Sequence, residues 1–163
     1  MANTKDIPSN YRTYRDSRSV RLDNFNYATD IPIHLTLCAP AAVLNETRLA
    51  QVICGSVEFC SAKMGYRLYG YCLMPDHLHV LLSPGVSGQS IDRWLHDFKS
   101  FTTNRFLKMG GSVPLWQRSA YDHICRKNET AEGVLTYIAN NPIRRGLVVD
   151  WRKWPWTRVF IEL

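Results

Sequence analysis

The sequence predicts an α+β fold, a central antiparallel β-sheet with flanking α-helices. Three observations carry this. Strand-like and helix-like hydrophobic patterns alternate in the order β-α-β-β-α-β-α. Two of the strands are separated by a turn too short for anything but an antiparallel hairpin. No repeat or long linker interrupts the 163 residues, so one core is expected, with the helices packed on one side of the sheet.

Residues 1–29 come first and are polar. Arg12, Arg15, Arg18 and Arg21 recur every third position, with Tyr11 and Tyr14 between them. This reads as a basic arm or lead-in, either solvated or lying as a strap on phosphates. The first strand runs from Pro32 to Cys38, where Ile33, Leu35 and Leu37 alternate with His34 and Thr36. After Pro40, a helical pattern extends from about Asn45 to Met64. Leu49, Val52, Ile53, Val57, Cys60 and Met64 form its apolar stripe, and Gly65 ends it. YRLYGYCLM (66–74) and HLHVLLS (77–83) are the hairpin strands about Pro75-Asp76.

Pro84–Gly88 is loop. A second amphipathic helix follows from about Ser90 to Lys108, with Ile91, Leu95, Phe98 and Phe106 inward and Lys99 on its polar side. Gly110-Gly111 breaks it, and 114–127 reads as a further extended segment. Asn128 is expected to cap a third helix from Glu129 to about Asn141, stopped by Pro142. Residues 143–163 read as a basic tail with Arg144, Arg145, Arg152, Lys153 and Arg158 among Trp151, Trp154 and Trp156.

Composition narrows the partners. Twenty Lys and Arg against fourteen Asp and Glu leave a formal charge of +6, which favours polyanions, nucleic acid first. Five cysteines without a C-x-x-C pair argue against a zinc knuckle and for a reducing, cytoplasmic setting. The polar N-terminus lacks the apolar stretch of a signal peptide, and no membrane-length apolar run occurs, so no membrane partner is expected.

Two features carry chemistry. On a strand, His77 and His79 point to one face while Leu78, Val80 and Leu82 point to the other. Two imidazoles held on a stiff strand can chelate one cation, with an amide or carboxylate and waters completing its shell; structural or surface histidines are the plainer alternative. In the third helix, Ala131, Val134, Leu135 and Ile138 form the buried stripe. Tyr137 flanks it, and Asn141 lies one turn later on Tyr137's side. Taken alone, Tyr137 reads as a half-buried boundary tyrosine. A phenol, with a pKa near 10, attacks a phosphodiester only if something offsets charge growing on the phosphate oxygens; a metal can do this. Asp76 reads foremost as a turn residue, with support of His77 as the second option. His34 and His96 read as structural or exposed, and the tryptophans as packing.

Together these segments resemble the single-tyrosine HUH transposases of insertion sequences, closest to the REP-associated tyrosine transposases of bacteria. The likeness is carried by RSVRLDNFNYATDIPIHLTLC (18–38), YCLMPDHLHVLL (71–82), FKSFTTNRF (98–106), LWQRSAYDHICR (115–126), YIANNPIRRGLV (137–148) and WPW (154–156). It spans nearly the whole chain as a single domain, though Pro32-Ile33-His34 stands where relatives carry aromatics. The resemblance implies a ferredoxin-like, HUH-palm fold. It implies that His77 and His79 bind a divalent cation, Mg²⁺ or Mn²⁺, with Asn141 as third ligand. It also implies that Tyr137 forms a 5′-phosphotyrosine on single-stranded or hairpin DNA. Arg12, Arg15, Lys99, Arg118, Arg144 and Arg145 are the candidate DNA contacts. The family leaves monomer and homodimer both open and gives His123 a place without a role. A protein that binds hairpin DNA without cutting it is the competing expectation.

Overall fold

A computed structural model describes residues 26–112, 114–125 and 128–163. Five strands, β1 (Ile33–Cys38), β2 (Arg67–Leu73), β3 (His77–Ser83), β4 (Ala120–Ile124) and β5 (Thr157–Val159), make one antiparallel sheet in the order β4-β1-β3-β2-β5. The helices are α1 (Thr47–Lys63), α2 (Ile91–Lys108), α3 (Ala131–Ala139) and a single-turn α4 (Asn141–Arg144). The run β1-α1-β2-β3-α2-β4 with β1 and β3 central is the split β-α-β arrangement of ferredoxin-like folds. The antiparallel sheet, its hairpin and the long helices follow the sequence expectation.

The two faces differ in what covers them. Ile33, Leu35 and Leu37 of β1, Leu78, Val80 and Leu82 of β3, and Tyr71 and Leu73 of β2 point into a core closed by α1 and α2. Trp94 and Phe98 stack there with ring centroids 4.9 Å apart, and Trp94 donates Nε1–H to Ser61 Oγ at 3.2 Å. The opposite face carries a second cluster in which Cys72, Met74 and Leu81 meet Leu135 and Ile138 of α3. Helices therefore lie on both sides, not on one. Alternation on β3 conceals this, because its polar face is buried as fully as its apolar face.

Two further boundaries depart from expectation, while α1, expected from about Asn45, gains its cap. The α1 cap is Glu46, whose carboxylate accepts from Leu49 N at 2.8 Å and Arg48 N at 3.2 Å. The α3 cap is Thr130 rather than Asn128, its hydroxyl accepting from Gly133 N at 3.0 Å. Pro142 does not stop the chain. It falls in the first turn of α4, where a missing N–H costs no hydrogen bond, so helix resumes after Asn140.

The basic tail is built into the sheet. After a 3-10 turn at Trp151–Lys153, Trp154 is buried and donates Nε1–H to Leu73 O at 2.8 Å, and β5 pairs with β2. Gly70 makes that junction possible. A Cβ there would stand 2.6 Å from Leu135 Cδ1 and 2.7 Å from Arg158 O, so only glycine lets α3, β2 and β5 meet.

Candidate active site

The site starts from the period-two geometry of β1 and β3. Register pairs His79 with Thr36 and His77 with Cys38, so His77, His79, Thr36 and His34 share the face that α3 covers. All four are buried. His77 and His79 present their Nε2 atoms to one another at 3.1 Å.

Each imidazole is held at its far nitrogen. His77 Nδ1 lies 2.7 Å from the carboxylate of fully buried Asp76, which accepts its proton. Asp76 is thus an orienting partner, overturning the reading of it as foremost a turn residue. His79 Nδ1 is 3.0 Å from both Thr36 Oγ1 and His34 Nε2. Burial, with His123 and His77 adding to it, lowers the His34 pKa to about 4. His79 is driven well below the ordinary histidine value by burial first, then by His77, His34, Arg145 and Arg144. Both rings are therefore neutral at pH 7.

Two imidazole nitrogens about 2.1 Å from one cation and at right angles stand about 3 Å apart. The Nε2 pair fits that requirement, and the outer bonds are those that fix imidazole ligands. Both lone pairs can face a cation once the His79 proton sits on Nδ1, where Thr36 or His34 accepts it. Among the described residues, no group of three or more His, Cys, Asp and Glu side chains converges on a metal position. A third donor must then be an amide, water or phosphate oxygen.

The phenol comes from α3. Leu135 and Ile138 anchor the helix to the sheet and turn Tyr137 to its flank, where it is 46% exposed. Its ring centroid lies 6.4 Å from His79 and 6.3 Å from His34. Arg144, one turn beyond α3, places its guanidinium 4.6 Å over the Tyr137 ring. Asn141 is buried and turns Nδ2 back to Tyr137 O at 3.0 Å and Ile138 O at 3.3 Å; its carbonyl end is the one able to ligate.

The structure thus gathers His77, His79, Tyr137, Asn141, Arg144 and Arg145 around one end of α3. It does not bring Lys99 and Arg118 there. Lys99 lies on α2, on the other side of the sheet, where its ammonium donates to Gln117 O and Arg118 O at 3.0 and 3.2 Å. Arg12 and Arg15 fall outside the described residues. Sequence reasoning missed His34, which was read as structural or exposed. Its signal is tertiary, since only the β1–β3 register shows that His34 and Thr36 flank His79. His96 is exposed as expected, and Trp116 and Trp154 are packed as expected.

The family model described as "Transposase IS200 like" matches residues 27–141, which include β1, the hairpin histidines, Tyr137 and Asn141. An uncharacterised Haemophilus influenzae protein is 24% identical over 159 residues, covering 77% of this chain and 88% of the relative. A second protein of that organism, provisionally named a REP-associated tyrosine transposase, is 25% identical over 98 residues, covering 53% of this chain and 54% of its own length. Among solved structures, a REP-associated tyrosine transposase bound to a REP hairpin superposes with a TM-score of 0.69 at 18% identity. That match covers 87% of this chain and 82% of the other. A provisionally assigned transposase from Deinococcus radiodurans gives a TM-score of 0.52 at 19% identity, over 74% and 97% of the two chains. At those identities the likeness is one of fold.

Proposed function

The chain belongs to the IS200-like transposase family, and from that premise we propose that it cuts and rejoins single-stranded or hairpin DNA through a phosphotyrosine at Tyr137. The observation that carries this reading is the convergence of an exposed phenol, a paired-imidazole ligand set and a guanidinium at one end of α3. DNA as partner is supported by the charge of +6 and by the two arginines close enough to depress His79.

The chemistry is transesterification. The Tyr137 oxygen attacks phosphorus, the bond from phosphorus to the 3′-oxygen breaks, and the phenolic proton ends on the departing 3′-hydroxyl. The 5′-phosphate remains on Tyr137 with the ester conserved, so a second 3′-hydroxyl can reverse the step without ATP. His77, His79 and the carbonyl end of Asn141 would hold Mn²⁺ or Mg²⁺, which when bound supplies Lewis-acid polarisation of the scissile phosphate. Imidazole donors favour Mn²⁺ of the two. Asp76, Thr36 and His34 fix the ring orientations. Arg144 stands where charge develops on phosphate oxygens, and Arg145 adds to the field. In this reading Arg12 and Arg15 contribute phosphate contacts from the arm, and Lys99 and Arg118 contact the DNA flanks.

The test is covalent capture. The protein is incubated with a randomised pool of single-stranded and hairpin oligonucleotides and Mn²⁺, and the adduct is mapped by peptide mass spectrometry. DNA on Tyr137, and none on the Tyr137→Phe protein, is expected. Label on Tyr121, or undiminished cleavage by Tyr137→Phe, would overturn the reading.

A further inference from the structure

Tyr137 is half exposed on the flank of α3, and among the described residues nothing hydrogen-bonds its hydroxyl. An aromatic side chain so placed has two open χ1 wells on a helix, so contacts of the ring itself select between them. His34 and His79 meet the ring from the sheet, nearly edge-on, with interplanar angles of 66° and 70°. Arg144 closes it from α4, with its guanidinium carbon 4.6 Å from the ring centroid.

The sequence Asn140-Asn141-Pro142 makes that contact possible. In an unbroken helix Arg144 would start two turns, about 10 Å, along the axis from Tyr137. Here α3 ends at Ala139 and α4 begins at Asn141, so the helix is interrupted between the two. Pro142 has no N–H for Ile138 O, and Asn141 Nδ2 takes that carbonyl at 3.3 Å, together with Tyr137 O at 3.0 Å. With the interruption held in this way, the long Arg144 stem leans back toward the N-terminus and onto the ring. Arg144 is exposed, and among the described residues it has no hydrogen bond and no carboxylate partner.

We propose that Arg144 is a positioning residue, which holds the Tyr137 ring in the rotamer facing the histidine pair before DNA arrives. The inference rests on the proposed function for its purpose. It adds an action on the nucleophile itself, distinct from offsetting charge on the phosphate. The two actions are compatible because they use different parts of the group: a guanidinium offers its flat face to an aromatic ring and its N–H edge to a phosphate. A cation over an exposed ring changes a rotamer ratio by about two- to fivefold. That is modest, yet a phenol in the wrong well is out of reach of the phosphate, so the rate follows the population of the right one. Lysine is a poor substitute, since its ammonium is a point charge that neither stacks flat nor forks.

The experiment has a DNA-free arm and a cleavage arm. In the first, three-bond couplings report the Tyr137 χ1 populations in the isotopically labelled full chain. One dominant rotamer is expected in the wild type. Arg144→Met, which keeps the stem and removes the charge, is expected to shift the ratio about threefold toward the second well. The side chain is exposed, so the unfolding midpoint should stay in place. In the second arm, an oligonucleotide recovered by covalent capture is supplied at saturation. Arg144→Lys keeps the charge, so adduct formation should slow about threefold while DNA affinity stays within about twofold. Arg144→Met should be slower still, because it also withholds charge from the phosphate. An unchanged χ1 ratio in both variants would overturn the proposal and leave the cleavage reading standing. A shifted ratio in a protein that never yields adduct would keep the positioning contact and remove the cleavage reading.

Discussion

The two faces of the sheet are built from the same strands, and adjacent residues serve opposite ends. Leu78 and Val80 face α1 and α2, while His77 and His79 face α3. Both faces are buried, but burial does different work on each. On the first it removes apolar area from water at about 25 cal/mol per Å² and stabilises the fold. On the second it strips water from imidazoles and a carboxylate, which costs stability unless each is bonded; it leaves His34 and His79 neutral, and Asp76 holds the His77 ring in one orientation. Stability and chemistry are thus interleaved at alternate residues of β3, and each can be perturbed separately.

The largest expected effect lies on the histidine face. His79→Ala or His77→Ala should lower Mn²⁺-dependent adduct formation by about 100-fold or more, with hairpin binding largely retained. Calorimetry with Mn²⁺ checks the cause; undiminished Mn²⁺ binding in both variants would break the comparison. One residue away, Leu78→Ala should cost about 3 kcal/mol of unfolding free energy. Denaturant titration reads that loss, and the fraction still folded should cleave normally.

A pH titration sharpens the comparison further. His34 takes up a proton near 6.5 when unfolded but only near 4 when folded, so acid favours the unfolded chain. The stability from burying it neutral is complete above about pH 6.5 and drains away as pH falls toward 4. Of the groups beside His34, His123, His77 and His79 supply no opposing negative charge, and Glu129, which lines the same cavity as His34, is engaged by His123. Unfolding midpoints of wild type and His34→Gln should converge across that window, by on the order of a few kcal/mol. Parallel curves would show that the ring is not held neutral.

The smallest effect is expected at Tyr121. It lies across from Thr36 on β4 and is 38% exposed, so it shares the histidine face without approaching His79 as Tyr137 does. Tyr121→Phe should leave adduct yield within about twofold and stability within about 0.5 kcal/mol. A large loss of adduct would assign the attacking oxygen to the wrong strand.

What could be read from sequence follows the same division. Periodicity placed α1, α2 and the hairpin because their apolar residues repeat at the helix and strand periods, and it set His77 beside His79 and Tyr137 at the flank of its stripe. It could not place β5. Three residues, Thr157 to Val159, carry too little alternation, and their pairing with β2 goes with the Trp154 bond to Leu73 O, a contact across the chain. Nor could it see that His34 and Thr36 hold His79, because that contact spans more than forty residues and exists only through register. Asp76 was misjudged for a related reason. A Pro-Asp turn normally sits in water, whereas here the turn is tucked under the chain, with Leu44 N bonded to Pro75 O and Ala39 N to Asp76 O.

Gly70 has a bearing on how this enzyme could be redesigned. The helix that aims Tyr137 rests on a spot where a single added carbon meets both a movable side chain, Leu135, and an immovable one-atom neighbour, the carbonyl of Arg158. Trimming Leu135 relieves the first collision and leaves the second, so no compensating side-chain change makes room for alanine there. An engineer seeking a re-aimed nucleophile has freedom on the exposed face of α3, at Glu132 and Thr136, and almost none where that helix meets the sheet.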